Sequence, residues 1–253
     1  MGLVMNISFY KTPIFPAQVL NVLSVKLGYD QFHPISKKGS QMSPQGLGWI
    51  IVDSLDTMMI MNLTSQLSDA RKWLFRKLTY DQDQEVNTFE TTIRMLGGLL
   101  SAHYLSTQLP DISSRRDYVY LNKSIDLADR FLGAYESRSG IPYASINLRT
   151  GAGIPSHFDG GSSSTAEAST LQLEMKYLAH LTGKEIYWRK SEEVMRVLDD
   201  NGMQDGLLPI FVNPESGKFT SSEIRLGSRG DSYYGTSGSI SALCTSTIMA
   251  YFY

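Results

Sequence analysis

The chain has 253 residues, 42% hydrophobic and 19% charged, with a formal net charge of −2. That length can bury a sizeable core, and the near-neutral balance gives no electrostatic reason to expect a nucleic acid or an anionic membrane as partner. A single cysteine, Cys244, excludes a disulfide within these residues and a cysteine-built zinc site, and His33, His103, His157 and His180 lack metal-ligand spacing, so no metal-ligating residue is assigned.

Residues 1–26 are apolar in patches, but Lys11, Pro13 and Pro16 interrupt them. The longest clean run, 17–25, is too short to be a transmembrane segment. With Lys11 as the only basic residue before it, the stretch is a poor signal peptide. The N-x-S/T triplets at Asn6, Asn62 and Asn122 permit a secretory location without requiring one. Residues 27–45 are polar, carry prolines and a glycine, and read as a loop. Residues 46–63 predict a helix with Ile50, Leu55, Met58 and Met59 on one face and Ile51, Val52 and Ile60 widening it, so a buried one. Asp53 and Asp56 within it suit caps, partners for basic groups, or the wall of a polar cleft. Residues 65–77 form an amphipathic helix, with Leu67, Ala70, Trp73 and Leu74 inward.

After a polar loop, 79–86, comes the stretch with the densest signals, NTFETTIRMLGGLLSAHYL at 87–105. Phe89, Ile93, Leu96, Leu100 and Tyr104 recur at helical intervals, and Glu90 and Arg94, four apart, share a face. Gly97 and Gly98 sit inside this helix, each costing about 1 kcal/mol relative to Ala, which close packing of a neighbouring backbone would offset. The charged pair fits either a salt bridge within a buried helical core or a catalytic site. Residues 107–117 form a loop, and 118–135 a helix with Leu121, Ile125, Ala128 and Leu132 inward. Residues 136–163, rich in Gly, Ser and Pro, are too long for a featureless linker and read as an ordered loop lining a site, with short β pieces near 142–147. Ser164 caps a helix running to Gly183, with STAE matching a capping box and Glu167 and Glu174 set among Ala168, Leu171, Leu173, Met175, Leu178 and Leu181. Residues 184–200 form another amphipathic helix, with Ile186, Trp188, Val194 and Val197 inward, and 200–219 read as turns and short strands. Alternating buried and amphipathic helices predict an all-α fold of helical hairpins, layered as an inner and an outer ring, with short β pieces in the loops.

GLGWIIVDSLDTM (46–58), NTFETTIRMLGGLLSAHYLS (87–106), STAEASTLQLE (164–174), GLLPIFVNPESGKF (206–219) and LGSRGDSYY (226–234) occur in that order. Together they closely resemble the class I α-1,2-mannosidases, glycoside hydrolase family 47, and the endoplasmic reticulum branch in particular. The resemblance covers residues 27–234 and implies part of an (α/α)7 barrel of seven helical hairpins. It implies hydrolysis of terminal α-1,2-linked mannose from high-mannose N-linked oligosaccharides, with inversion and a bound Ca²⁺, in the endoplasmic reticulum or Golgi, often from a membrane anchor. Glu90 matches the family's proton donor and Asp231 a second catalytic carboxylate. Arg94 and Arg229 match arginines lining the site, and Glu167 a carboxylate that contacts substrate.

Residues 1–26 do not resemble the family, and after Tyr234 the text from Gly235 onward diverges. The resemblance further implies a third catalytic carboxylate and a Ca²⁺-holding threonine in later blocks, which these residues lack. The expectation is therefore an incomplete barrel holding the N-terminal half of a catalytic domain, with most of its rate lost. The alternatives are a non-catalytic, mannosidase-like protein that binds glycans or glycoproteins, and a non-functional fragment.

Overall fold

The computed structural model describes residues 28–33, 35, 36, 38–203 and 205–235. The N-terminal segment expected to diverge, Cys244, and all but the first residue of the expected tail lie outside the described residues.

Among the described residues, three helical hairpins carry the structure. In the first, α1 (Trp49–Asp53) and α2 (Leu55–Ile60) make the inner arm and α3 (Thr64–Arg76) the outer. In the second, α4 (Thr88–Thr91), a π-helical turn (Thr92–Leu96) and α5 (Gly97–Gln108) make the inner arm and α6 (Tyr118–Phe131) the outer. In the third, α7 (Thr165–Ser169) and α8 (Gln172–Thr182) are inner and α9 (Glu185–Asp200) is outer. The inner α5 packs against α2 and α8, and each outer helix packs on the inner arm of its own hairpin. This is the layering that the alternation predicted, and no helix among the described residues is long and apolar enough to cross a membrane.

The core also absorbs tyrosines. Tyr80, Tyr120, Tyr135 and Tyr187 are among the largest fully buried side chains, so the tyrosine-rich composition serves packing here. On α3 the predicted stripe holds, with Leu67, Ala70 and Leu74 buried. Other stripes shift. The helix expected over 46–63 breaks at Ser54, and Ile60 is left exposed. On α9 the buried positions are Tyr187, Ser191, Val194, Val197 and Leu198, while Ile186 is exposed. The π turn inserts an extra residue and rotates the rest of the inner arm by about 100°. Met95, Leu96, Leu99 and Leu100 therefore fill the core, and Tyr104, expected inside, is 51% exposed.

The glycine pair divides its labour. A Cβ on Gly98 would lie 2.7 Å from the Val52 carbonyl oxygen, so α5 meets the backbone of α1 at van der Waals contact there. A Cβ on Gly97 would instead meet Glu174 at 3.5 Å, an ordinary contact.

Short strands fix the loops. β1 (Gln31–His33) and β2 (Lys38–Ser40) pair within the segment read as loop. The hairpin is anchored by the buried Asp30 carboxylate, which accepts the N–H groups of Met42 at 2.9 Å and Leu47 at 2.7 Å. β3 (Glu85–Asn87), β4 (Ser145–Asn147) and β5 (Gly153–Ile154) form an antiparallel sheet with Asn87 opposite Ser145. β6 (Ser163–Ser164) pairs with β7 (Phe211–Val212), with Ser164 opposite Phe211. In each of these last two sheets one strand, β3 or β6, ends at the N-cap of an inner helix.

Candidate active site

The site grows from those two helix starts. Asn87 is both the last residue of β3 and the N-cap of α4, and its Oδ1 accepts the Glu90 N–H at 2.7 Å. Ser164 is the last residue of β6 and the N-cap of α7, and its Oγ accepts the Glu167 N–H at 3.4 Å. Glu90 and Glu167 thus occupy equivalent places, three residues past a polar cap in the first turn of an inner helix. Of the predicted capping box, this structure keeps the serine half. The Glu167 carboxyl turns to the Asn87 side chain instead of closing the box.

Arg94 lies on the π turn, and its Nε donates to Glu90 Oε2 at 2.7 Å. Its Nη1 is 3.5 Å from Asp53 Oδ2 at the end of α1. The Glu90 hydrogen bond holds the Arg94 guanidinium charged above its ordinary range. The pair does form a salt bridge, but not within a buried core. The side chains of Glu90, Arg94 and Asp53 are 42%, 45% and 46% exposed, so the carboxylate is open to a ligand. Glu90 borders a cleft of about 370 Å³, together with Asp30, Gln31, Trp49, Glu85 and Asn87.

Glu167 is the more enclosed carboxyl. Burial pushes its pKa up, the Asn87 hydrogen bond and the Arg229 charge pull it down, and the Asp159 and Glu90 charges push it up again. Beside it is a cavity of about 10 Å³, lined by Thr88, Tyr143 and Ser163 among others, the size of about one water.

Arg229 reaches this cluster from the far end of the described chain. Its backbone is left-handed, with φ of 72°, an uncommon state for a residue with a Cβ. The turn presents its carbonyl to the N–H of Ala166 at 2.9 Å. Its guanidinium donates to Asp159 Oδ2 at 3.2 Å and lies 5.0 Å from the centre of the Phe211 ring. Asp231 stands apart. Its Oδ1 accepts the Ser232 N–H at 2.9 Å, its own N–H donates to Gly227 O at 2.8 Å, and the residue is exposed at the start of a short helix. The structure thus brings Glu90, Arg94, Glu167 and Arg229 into one electrostatic network, while the hydrogen bonds of Asp231 stay within its own turn.

Sequence reasoning missed Asn87 and Asp159, and it left Asp53 with several possible roles. The Asn87 signal was present as N-T-F-E, the same polar-cap-to-glutamate spacing as S-T-A-E. Asp159 carried no local signal, since its partner is 70 residues away.

The structure adopts the fold of a known group of glycosidases. A solved α-1,2-mannosidase from Trichoderma reesei superposes with a TM-score of 0.77 at 24% identity, over 87% of this chain and 47% of that one. At that identity the likeness shows the (α/α) barrel fold. The family model described as Glycosyl hydrolase family 47 matches residues 23–249, and the chain belongs to that family. Over 82% of its length it is 57% identical to a mannosyl-oligosaccharide 1,2-alpha-mannosidase of Candida albicans. It is 50% identical to the endoplasmic reticulum enzyme of that name from Saccharomyces cerevisiae, and 39% identical to the human one. The chain spans 35%, 40% and 28% of the length of these three relatives.

Proposed function

We propose that this chain is the N-terminal half of the catalytic domain of an inverting α-1,2-mannosidase. Its substrate is the terminal α-1,2-linked mannose of high-mannose N-linked oligosaccharides. Its work is N-glycan processing and glycoprotein quality control in the endoplasmic reticulum or Golgi. The observation that carries this reading is Glu90, an open carboxyl at the edge of a cleft, gripped by Arg94 and grouped with Glu167 and Arg229. Inverting hydrolysis needs one carboxyl to protonate the leaving oxygen and another to activate water on the opposite face of the sugar. Glu90 takes the first role. Asp231 contributes a second carboxylate, and its separate position agrees with a group that acts from the other side. Arg94 orients Glu90 and, with Arg229 and Glu167, hydrogen-bonds sugar hydroxyls.

The resemblance also implies Ca²⁺. Among the described residues no group of three or more His, Cys, Asp or Glu side chains could hold a metal ion. The described side chains therefore do not fit a Ca²⁺ site built on a cluster of carboxylates. The detachment of Asp231 from the Glu90 cluster equally favours a second reading, in which this chain binds glycans without turnover.

The test is hydrolysis of a high-mannose oligosaccharide by the purified chain in the presence of Ca²⁺. Turnover that falls by roughly 10²–10⁴-fold in Glu90→Gln supports the catalytic reading. Binding that is saturable but without turnover supports the second. Turnover unchanged in Glu90→Gln refutes the assignment of the acid.

A further inference from the structure

Phe158 is 93% exposed at the tip of the Gly- and Ser-rich loop. Single exposed apolar side chains are ordinary, so exposure alone says little. What separates Phe158 from exposed residues such as Ile35 and Leu226 is how its two neighbours are held. On one side His157 Nε2 meets both oxygens of the Glu85 carboxylate, at 2.9 and 3.1 Å. On the other side Asp159 Oδ2 accepts from Ser156 Oγ at 2.8 Å and from Arg229 Nη1 at 3.2 Å. Both distant anchors belong to the site. Glu85 borders the same cleft as Glu90, and the charge of Arg229 acts on Glu167.

The loop tip is thus pinned between Glu85 on the cleft wall and Arg229 beside Glu167, with a large flat ring held out in water between its two fixing points. Folding gains little from that ring, because it is almost fully solvated. A ligand would gain more, since an aromatic with few rotamers on an immobilised backbone offers contact area at small entropic cost. The nearby cleft is mixed, with Met42, Leu47 and Trp49 beside Gln31, Asn87 and Glu90, so it offers apolar faces together with partners for hydroxyl groups. A face of carbon-bound hydrogens beside several hydroxyls is the surface of a pyranose ring.

We propose that Phe158 is a stacking platform for a mannose ring of the glycan other than the one cleaved, and so sets preference for a branched oligosaccharide over a disaccharide. This deepens the glycan-directed reading above and rests on it. The contact is remote from the bond broken and equally present before and in the transition state, so its loss weakens binding and raises KM without lowering kcat.

The test is calorimetric titration of the full chain with a high-mannose oligosaccharide and, separately, with α-1,2-mannobiose. Phe158→Ala should weaken oligosaccharide binding by about tenfold, leave mannobiose binding unchanged, and be rescued by Phe158→Trp. Its melting temperature should match that of the parent chain, because the ring makes almost no contact in the fold. Equal oligosaccharide affinity in parent and Phe158→Ala overturns the platform while leaving the glycan reading intact. Equal losses for oligosaccharide and mannobiose overturn it as well, since the residue would then act within the cleavage subsite. Failure of the parent chain, correctly folded by its melting curve, to bind either sugar overturns the glycan reading and the platform together.

Discussion

Alanine at Gly97 and alanine at Gly98 should change stability in opposite directions. Both residues lie in the inner helix, where replacing Gly by Ala gains about 1 kcal/mol from backbone entropy. At Gly97 the backbone is regular, with φ of −58° and ψ of −47°, and the new Cβ would lie 3.5 Å from Glu174 Oε1 and 3.7 Å from its Cγ. Those are ordinary contacts, so the gain survives. At Gly98 the new Cβ would lie 2.7 Å from the oxygen and 3.2 Å from the carbon of the Val52 carbonyl. Those are backbone atoms of α1 and cannot swing aside, so α1 or α5 must shift. Such overpacking costs about 1–3 kcal/mol, which outweighs the propensity gain and leaves a net loss of roughly 1 kcal/mol. The two variants should therefore differ by about 2 kcal/mol, or about 4–8 °C in melting temperature for a chain of this size. Urea unfolding followed by circular dichroism reads the difference directly. Stabilisation by both alanines, or a Gly98→Ala chain at least as stable as Gly97→Ala, would refute the close approach of α1 to α5. A shift of α1 would also carry Asp53 away from Arg94, so Gly98→Ala should lower activity where Gly97→Ala does not.

Burial pushes the Glu174 carboxyl up from 4.5 to about 7, and its Oε2 has no hydrogen-bond partner. Between those values the folded chain keeps a proton that the unfolded chain releases, so this group's contribution makes stability fall as pH rises from about 4.5 and level off above about 7. The loss amounts to roughly 3 kcal/mol. Glu174→Gln should stabilise the chain near neutral pH and flatten the slope, measured as urea midpoints at about pH 5 and about pH 8; an unchanged slope would show that the carboxyl is not buried. Asn87 caps α4 through Oδ1, and its side chain also hydrogen-bonds the Glu167 carboxyl. Asn87→Asp should keep the cap, and with it stability to within about 1 kcal/mol, yet lose turnover because a carboxylate cannot donate to Glu167; full activity in this variant would remove Asn87 from the site.

The helices were legible because each is amphipathic or buried over a long window, and a 3.6-residue period survives small errors of phase. What was not legible was local phase. Nothing in TIRML signals a π turn, yet one inserted residue moved Tyr104 from core to surface. The Asn87 strand and the β1–β2 hairpin were hidden for a different reason. Strands of three residues are held by partners far along the chain, here Ser145 opposite Asn87 and the Asp30 carboxylate beneath the hairpin, and no short window contains both sides. The glycine pair was read correctly as a mark of close packing, but the sequence could not say that Gly98 alone makes the contact.

The candidate site divides along the same line. Glu90 and Arg94 are four apart on one helix, so their contact follows from helical geometry and could be read directly. Glu167 joins them through Asn87, and Arg229 joins Glu167 through charge, across separations that no pattern encodes. Yet the sequence does hold a trace of that arrangement. N-T-F-E and S-T-A-E each place a glutamate three residues after a polar cap, and each cap closes a short strand. Two hairpins built on the same strand–cap–glutamate plan deliver their carboxyls to the same end of the inner layer, where Asn87 caps the Glu90 backbone N–H and meets the Glu167 carboxyl. The repeat is one of construction rather than of sequence similarity. It explains how two distant glutamates meet while Asp231, which has no such cap before it, is left outside the cluster.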